Sequence, residues 1–149
     1  VDAFGRDLLT YAVQYQQINI LRYLLLECKP PANINVQAND GSTCLHRACY
    51  SDEAQQSNIE IVRLLLENNA DVTKQDVHMR SPLHWAVLAE HTDCLKSLVE
   101  NNADVHARDA DGMTPAMWAC HLDRAEHFKV CPNCSRDTEN VSTTASSLR

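Results

Sequence analysis

The sequence predicts an all-α fold, a solenoid of stacked helix-turn-helix units with protruding finger loops. Three observations carry this reading. A six-residue motif recurs along the 149 residues: Ser81-Pro82-Leu83-His84-Trp85-Ala86 in its cleanest form, Thr43-Cys44-Leu45-His46-Arg47-Ala48, Thr114-Pro115-Ala116-Met117-Trp118-Ala119, and a degenerate Asp7-Leu8-Leu9-Thr10-Tyr11-Ala12. Its first residues, 7, 43, 81 and 114, lie 36, 38 and 33 positions apart, and a period near 33 belongs to stacks of repeated helix pairs. Each motif is followed by a second apolar stripe, so each copy supplies two helices.

Each element follows from local chemistry. Asp7, Thr43, Ser81 and Thr114 can each accept a hydrogen bond from an orphan amide of a first helical turn. Pro82 and Pro115 stand at the first helical position, where a missing N–H matters little. Ala12, Ala48, Ala86 and Ala119 share one slot, and their small side chains let neighbouring helices approach closely. Turn signals precede the caps at Asp2 to Gly5, Asp40-Gly41 and Asp109 to Gly112, while Met79 takes the glycine position of the third copy and predicts a strained or altered turn there. In the second helices, Leu21, Val62, Leu95 and Phe128 are expected on one buried stripe. Asn69 and Asn102 follow two of these helices, and Asn tolerates the left-handed conformation that ends a helix.

The lines Leu66-Glu67-Asn68-Asn69-Ala70-Asp71-Val72 and Val99-Glu100-Asn101-Asn102-Ala103-Asp104-Val105, together with the recurring motif, resemble the ankyrin repeat. The resemblance covers residues 2 to 131. It implies one repeat domain over residues 1–134, with units near 2–37, 38–75, 76–108 and 109–134. Residues 135–149 are rich in Ser and Thr and are expected to form a disordered tail. The chain starts inside a repeat and reads as a piece of a longer protein. Two insertions break the period, Lys29-Pro30-Pro31 and the segment from Ser51 to Ser57.

Composition excludes several classes. Net charge is −7 with no basic block, against the clustered Lys and Arg that nucleic-acid backbones require. No apolar run reaches membrane-spanning length. Seven scattered cysteines, an odd number, do not form a disulfide framework and suit a reducing cytoplasm or nucleus. Cys131-Pro132-Asn133-Cys134, with Cys120, His121 and His127 upstream, offers one CxxC where a zinc site needs two ligand pairs, so no metal is expected. His46 and His84 belong to the motif and are expected to bond backbone at the base of a finger. No nucleophile, phosphate loop or paired acids stand at a catalytic spacing. No cofactor and no enzymatic activity are expected.

In ankyrin arrays the finger tips and first helices form a concave groove, and the resemblance places that groove here. The tips are Ala3, Phe4 and Arg6; Asn39, Asp40 and Ser42; Val77, His78 and Arg80; and Ala110, Asp111 and Met113. The first helices add Gln14 and Tyr15, Tyr50 and Ser51, Leu88 and Ala89, then His121 and Leu122. From these we select Tyr15, Tyr50, His78, Arg80, Trp85, Leu88, Asp111, Met113, Trp118 and His121 as partner-binding candidates. Aromatics and Arg are the types enriched at interface hot spots. Trp85 and Trp118 share one slot 33 residues apart, filled by Tyr11 and Arg47 in the earlier units. Side-by-side indoles would serve either inter-repeat packing or partner contact, and in the second case Trp85→Leu would weaken binding without unfolding the domain.

Some ankyrin arrays hold methylated lysine with Trp in this slot of adjacent repeats. They add a Trp five residues before the first and an acid three residues after it, where this chain has Arg80 and Leu88. Asp104-Val105-His106 resembles ankyrin sites that oxygen-dependent hydroxylases modify, which would make the chain a substrate. The expected function is a monomeric, non-catalytic scaffold that binds a protein or peptide partner of basic character in its groove. The alternative is the targeting domain of a larger enzyme or ligase.

Overall fold

The computed structural model describes residues 1–50, 57–89 and 92–131, with only the backbone of Ser57 and Asn58. The segment 51–56, the proposed tail and Cys134 lie outside the described residues. Within them the fold is all-helical: α1 (Leu8–Gln14), α2 (Ile18–Arg22, running on as a π-helical turn over Tyr23–Glu27), α3 (Cys44–Cys49), α4 (Ser57–Glu67), α5 (Pro82–Leu88), α6 (Asp93–Glu100), α7 (Pro115–His121) and α8 (Ala125–Val130). Successive helices pack in pairs, α1 with α2, α3 with α4, α5 with α6 and α7 with α8. The first helices α1, α3, α5 and α7 form one layer and α2, α4, α6 and α8 the other, each touching its counterpart in the next pair. The core runs unbroken along the stack between the layers.

The caps fix where each pair begins. Asp7 Oδ1 accepts from the Thr10 amide at 2.8 Å, and Thr114 Oγ1 from the Met117 amide at 3.3 Å. At Thr43 and Ser81 the cap is reciprocal, and a histidine replaces the usual Glu or Gln. The Thr43 amide donates to His46 Nδ1 at 3.1 Å and the Ser81 amide to His84 Nδ1 at 3.2 Å. Since Nδ1 accepts, the neutral ring carries its proton on Nε2. That proton reaches the next finger: His46 Nε2 donates to the Arg80 carbonyl at 3.0 Å and His84 Nε2 to the Met113 carbonyl at 3.1 Å. Each histidine therefore closes its own helix and ties its pair to the following one.

Asn69 and Asn102 end α4 and α6 with positive φ, at 63° and 62°. Ala70 and Ala103 then donate back to Leu65 and Leu98, both at 3.0 Å. In the fingers one cross-unit backbone bond joins each neighbouring pair: Asn39 to Phe4 O (2.9 Å), Val77 to Asp40 O (3.0 Å) and Ala110 to His78 O (2.9 Å). Met79 sits at φ 59° where Gly5, Gly41 and Gly112 have 74°, 74° and 77°, so the third finger keeps the shape of the others with a strained residue. Gly41 is needed for a second reason, since a Cβ there would lie 2.8 Å from the Val77 nitrogen.

Leu21, Val62 and Leu95 are fully buried, as the stripe requires, but Phe128 is half-buried and its neighbour His127 is buried instead. Phe128 stands on α8, the last described helix, which packs on α7 and α6 and has no following helix pair among the described residues.

Candidate partner-binding groove

The shared slot on the first helices is organised by an aspartate at the root of the first, third and fourth fingers. Asp76 Oδ1 accepts the His78 and Arg80 amides, both at 2.9 Å. Its Oδ2 accepts Arg80 Nε at 2.8 Å and the Trp85 indole N–H at 3.0 Å. Asp109 repeats the pattern, with the Asp111 and Met113 amides at 3.0 and 2.8 Å and the Trp118 indole at 2.8 Å. Asp2 holds the Phe4 and Arg6 amides at 2.9 and 2.8 Å and the Tyr11 hydroxyl at 2.7 Å. Unit two has Ala38 at this place, and Arg47 bonds Asp40 at 2.8 Å instead.

Burial alone would push the Asp76 carboxyl up. The Arg80 amide, the Trp85 indole, the His78 amide and the Arg80 side chain more than offset it and hold the group below the ordinary carboxylate range. These aspartates are absent from the sequence-derived site. The signal for them was present: Asp2, Asp76 and Asp109 each stand nine residues before the slot residue they hold.

Tyr50, Arg80 and Trp85 converge. The Tyr50 and Trp85 rings meet edge-on, 6.0 Å between centroids and 89° between planes. The Arg80 guanidinium lies over the indole, 5.4 Å from its centroid, while its Nη2 pairs with Asp76 at 2.8 Å. Tyr50 is exposed, and Trp85 and Arg80 are half-buried. Met113 stands half-buried at the third-to-fourth junction, its carbonyl held by His84. His78 and Asp111 are exposed on finger tips, His121 is exposed at the end of α7, and Leu88 is half-buried at the end of α5. Tyr15 belongs to a separate cluster in unit one. It stacks on Tyr11 at 6.1 Å and 15°, and Arg6 sits over both Tyr11 (5.0 Å) and Phe4 (4.8 Å).

Four expectations need correction. Trp85 and Trp118 are not in ring contact with each other. Each indole instead meets the imidazole of the preceding unit edge-on, Trp85 with His46 at 5.6 Å and Trp118 with His84 at 6.1 Å. Both are half-buried with their N–H groups satisfied, so Trp85 is not the dispensable contact that a harmless Trp85→Leu would require. Ser42 is buried rather than on a finger tip, because its hydroxyl donates to Asp40 Oδ1 at 2.6 Å inside the turn. Ala89 is buried at the C-cap of α5, its carbonyl accepting from Arg124 Nη1. Ser51 falls outside the described residues.

Cys44, Cys49 and Cys94 are buried. Burial pushes the Cys44 thiol up to about 12, that of Cys94 up to about 11, and raises Cys49 as well. These thiols are held protonated and unreactive. Among the described residues no helix is long and apolar enough to cross a membrane, and no cluster of His, Cys, Asp or Glu is arranged for a metal.

A family model described as ankyrin repeats (3 copies) matches residues 1–76 and 54–134. Palmitoyltransferase AKR1 of Debaryomyces hansenii is 32% identical over 101 residues, which make up 64% of this chain and 12% of that protein. The chain therefore corresponds to a small part of this relative's length.

Proposed function

This chain belongs to the ankyrin-repeat family, and on that premise we propose that it is a non-catalytic protein-interaction module whose finger tips and first-helix ends hold an extended peptide or partner domain. The observation that carries the proposal is the cluster of Tyr50, Trp85 and Arg80. It combines an exposed aromatic, a half-exposed indole and a guanidinium fixed by a buried carboxylate. Side chains already held in place lose little entropy on binding, and these are the types that carry interface energy. The net charge of −7 favours a partner segment of basic character. Leu88, Met113, Asp111, His78, Trp118 and His121 continue this surface in the proposal, and Tyr15 marks its other end. Affinity capture from lysate with the intact chain and with Tyr50→Ala tests it. Loss of a specific partner with unchanged melting temperature is the expected result. Identical partner lists would sink the groove assignment.

The second reading is a targeting domain within a larger enzyme. It draws support from the palmitoyltransferase relative, of which the matched segment is only 12%. It shares the same surface physics, and assaying the full-length polypeptide for acyl transfer separates the two. The methyl-lysine variant of this reading is disfavoured, because Arg80 lies over the Trp85 face that a bound cation would need. A monomer in the cytosol or nucleus is the state we propose, consistent with Cys44, Cys49 and Cys94 kept buried and protonated.

A further inference from the structure

The same three slots are buried in unit two and open in unit one. Cys44, Ile61 and Leu64 are 2%, 1% and 5% exposed. Leu8, Ile20 and Tyr23, which hold the corresponding places, are 64%, 46% and 55% exposed. What covers unit two is unit one. Its α1 packs on α3 and its α2 on α4, Cys44 Sγ reaches the Ile34 carbonyl at 3.2 Å, and Arg22 pairs with Glu60 at 3.0 Å across the junction. In unit three the same slots hold Pro82, Cys94 and Ser97, and all are buried by unit two. A solenoid end that meets water normally carries polar residues there. Unit one instead carries a leucine, an isoleucine and a tyrosine in the slots that units two and three bury.

We propose that unit one is built as an interior unit, and that its outer face takes a further helix pair of the same repeat form, stacked in register and continuous with this one through the backbone. Repetition identifies the occupant. The face continues the set of junctions already formed, and the shape that fits it is the one unit one offers to unit two. Covalent continuity follows because a lone helix pair cannot bury its own apolar face and is not stable by itself. The inference is independent of the partner reading, but it has a consequence for it: exposed Phe4 and Tyr15 then lie in the middle of a longer groove rather than at its end.

A tandem duplication of residues 2–37 within the full chain tests this, since residue 37 then joins residue 2 in the register in which it joins residue 38. The duplicated chain should be monomeric and melt at least about 4 °C higher than the original. Ile20→Glu with Tyr23→Glu should lower the melting temperature when placed in the inner copy. The same pair should have little effect in the outer copy or in the original chain. Equal effects in both copies, or no gain from duplication, would overturn the proposal. So would self-association of the original chain that Tyr23→Glu abolishes, because the face would then belong to a second copy.

Discussion

Trp85 shows how one side chain can serve both packing and display. Its indole N–H is one of several donors to the Asp76 carboxylate, which is itself only 1% exposed. Trp85→Leu removes that donor from a buried acceptor and should cost about 1–3 kcal/mol. Tyr50→Ala, at an exposed ring, should stay within about 1 kcal/mol. Urea unfolding of both variants checks this, and equal losses would contradict the assigned geometry. Met79 is the opposite case, a left-handed residue whose side chain is half in solvent. Met79→Gly should gain up to about 1 kcal/mol by relieving φ strain, and a lower denaturation midpoint would refute the strain argument.

The motif histidines set a pH dependence. Burial pushes the pKa of His46 and of His84 below 6.5, outweighing their carbonyl partners and nearby acids. The unfolded chain then binds protons first, so this stability is full above about pH 6.5 and is lost as pH falls below it. The urea midpoint should drop between about pH 7.5 and 5.5, and His46→Gln with His84→Gln should flatten that drop. A midpoint that rises on acidification would exclude the neutral, bridging imidazoles.

At the scale of elements, the short helices depend on their neighbours more than on propensity. Most have five to eight residues, too few for independent stability in water. Leu65 on α4 is fully buried between the first and third pairs. Leu65→Ala should cost roughly 2–5 kcal/mol through lost burial and a cavity. A change under about half a kilocalorie in denaturant unfolding would place the residue on the surface and break the register of the second helices.

The whole molecule carries a net charge of −7, and its Arg6 and Arg80 are already paired with Asp2 and Asp76. Steering of a basic partner should therefore come from the summed field rather than from one acid. Its association rate should fall several-fold between about 50 and 300 mM salt while the dissociation rate changes little. A rate insensitive to salt would remove the basic character from the proposed partner.

The repeat itself determined the stacked helix pairs, because caps, alanines and apolar stripes are local features that recur at a readable period. Asn69 and Asn102 could be assigned to their turns because a backbone that needs positive φ selects few residues, whereas Met79 could be placed only by its position in the repeat. The sequence also named Tyr50, Arg80 and Trp85, but as separate positions. Only the tertiary structure decided that Arg80 covers the Trp85 face, that the indoles meet histidines rather than each other, and that Ser42 and Ala89 are inside. For the indoles these outcomes depend on a carboxylate nine residues away and on the neighbouring unit, and for Ser42 on the Asp40 carboxylate within its own turn. A period specifies which slots recur, whereas contacts between slots depend on the side chains that meet there.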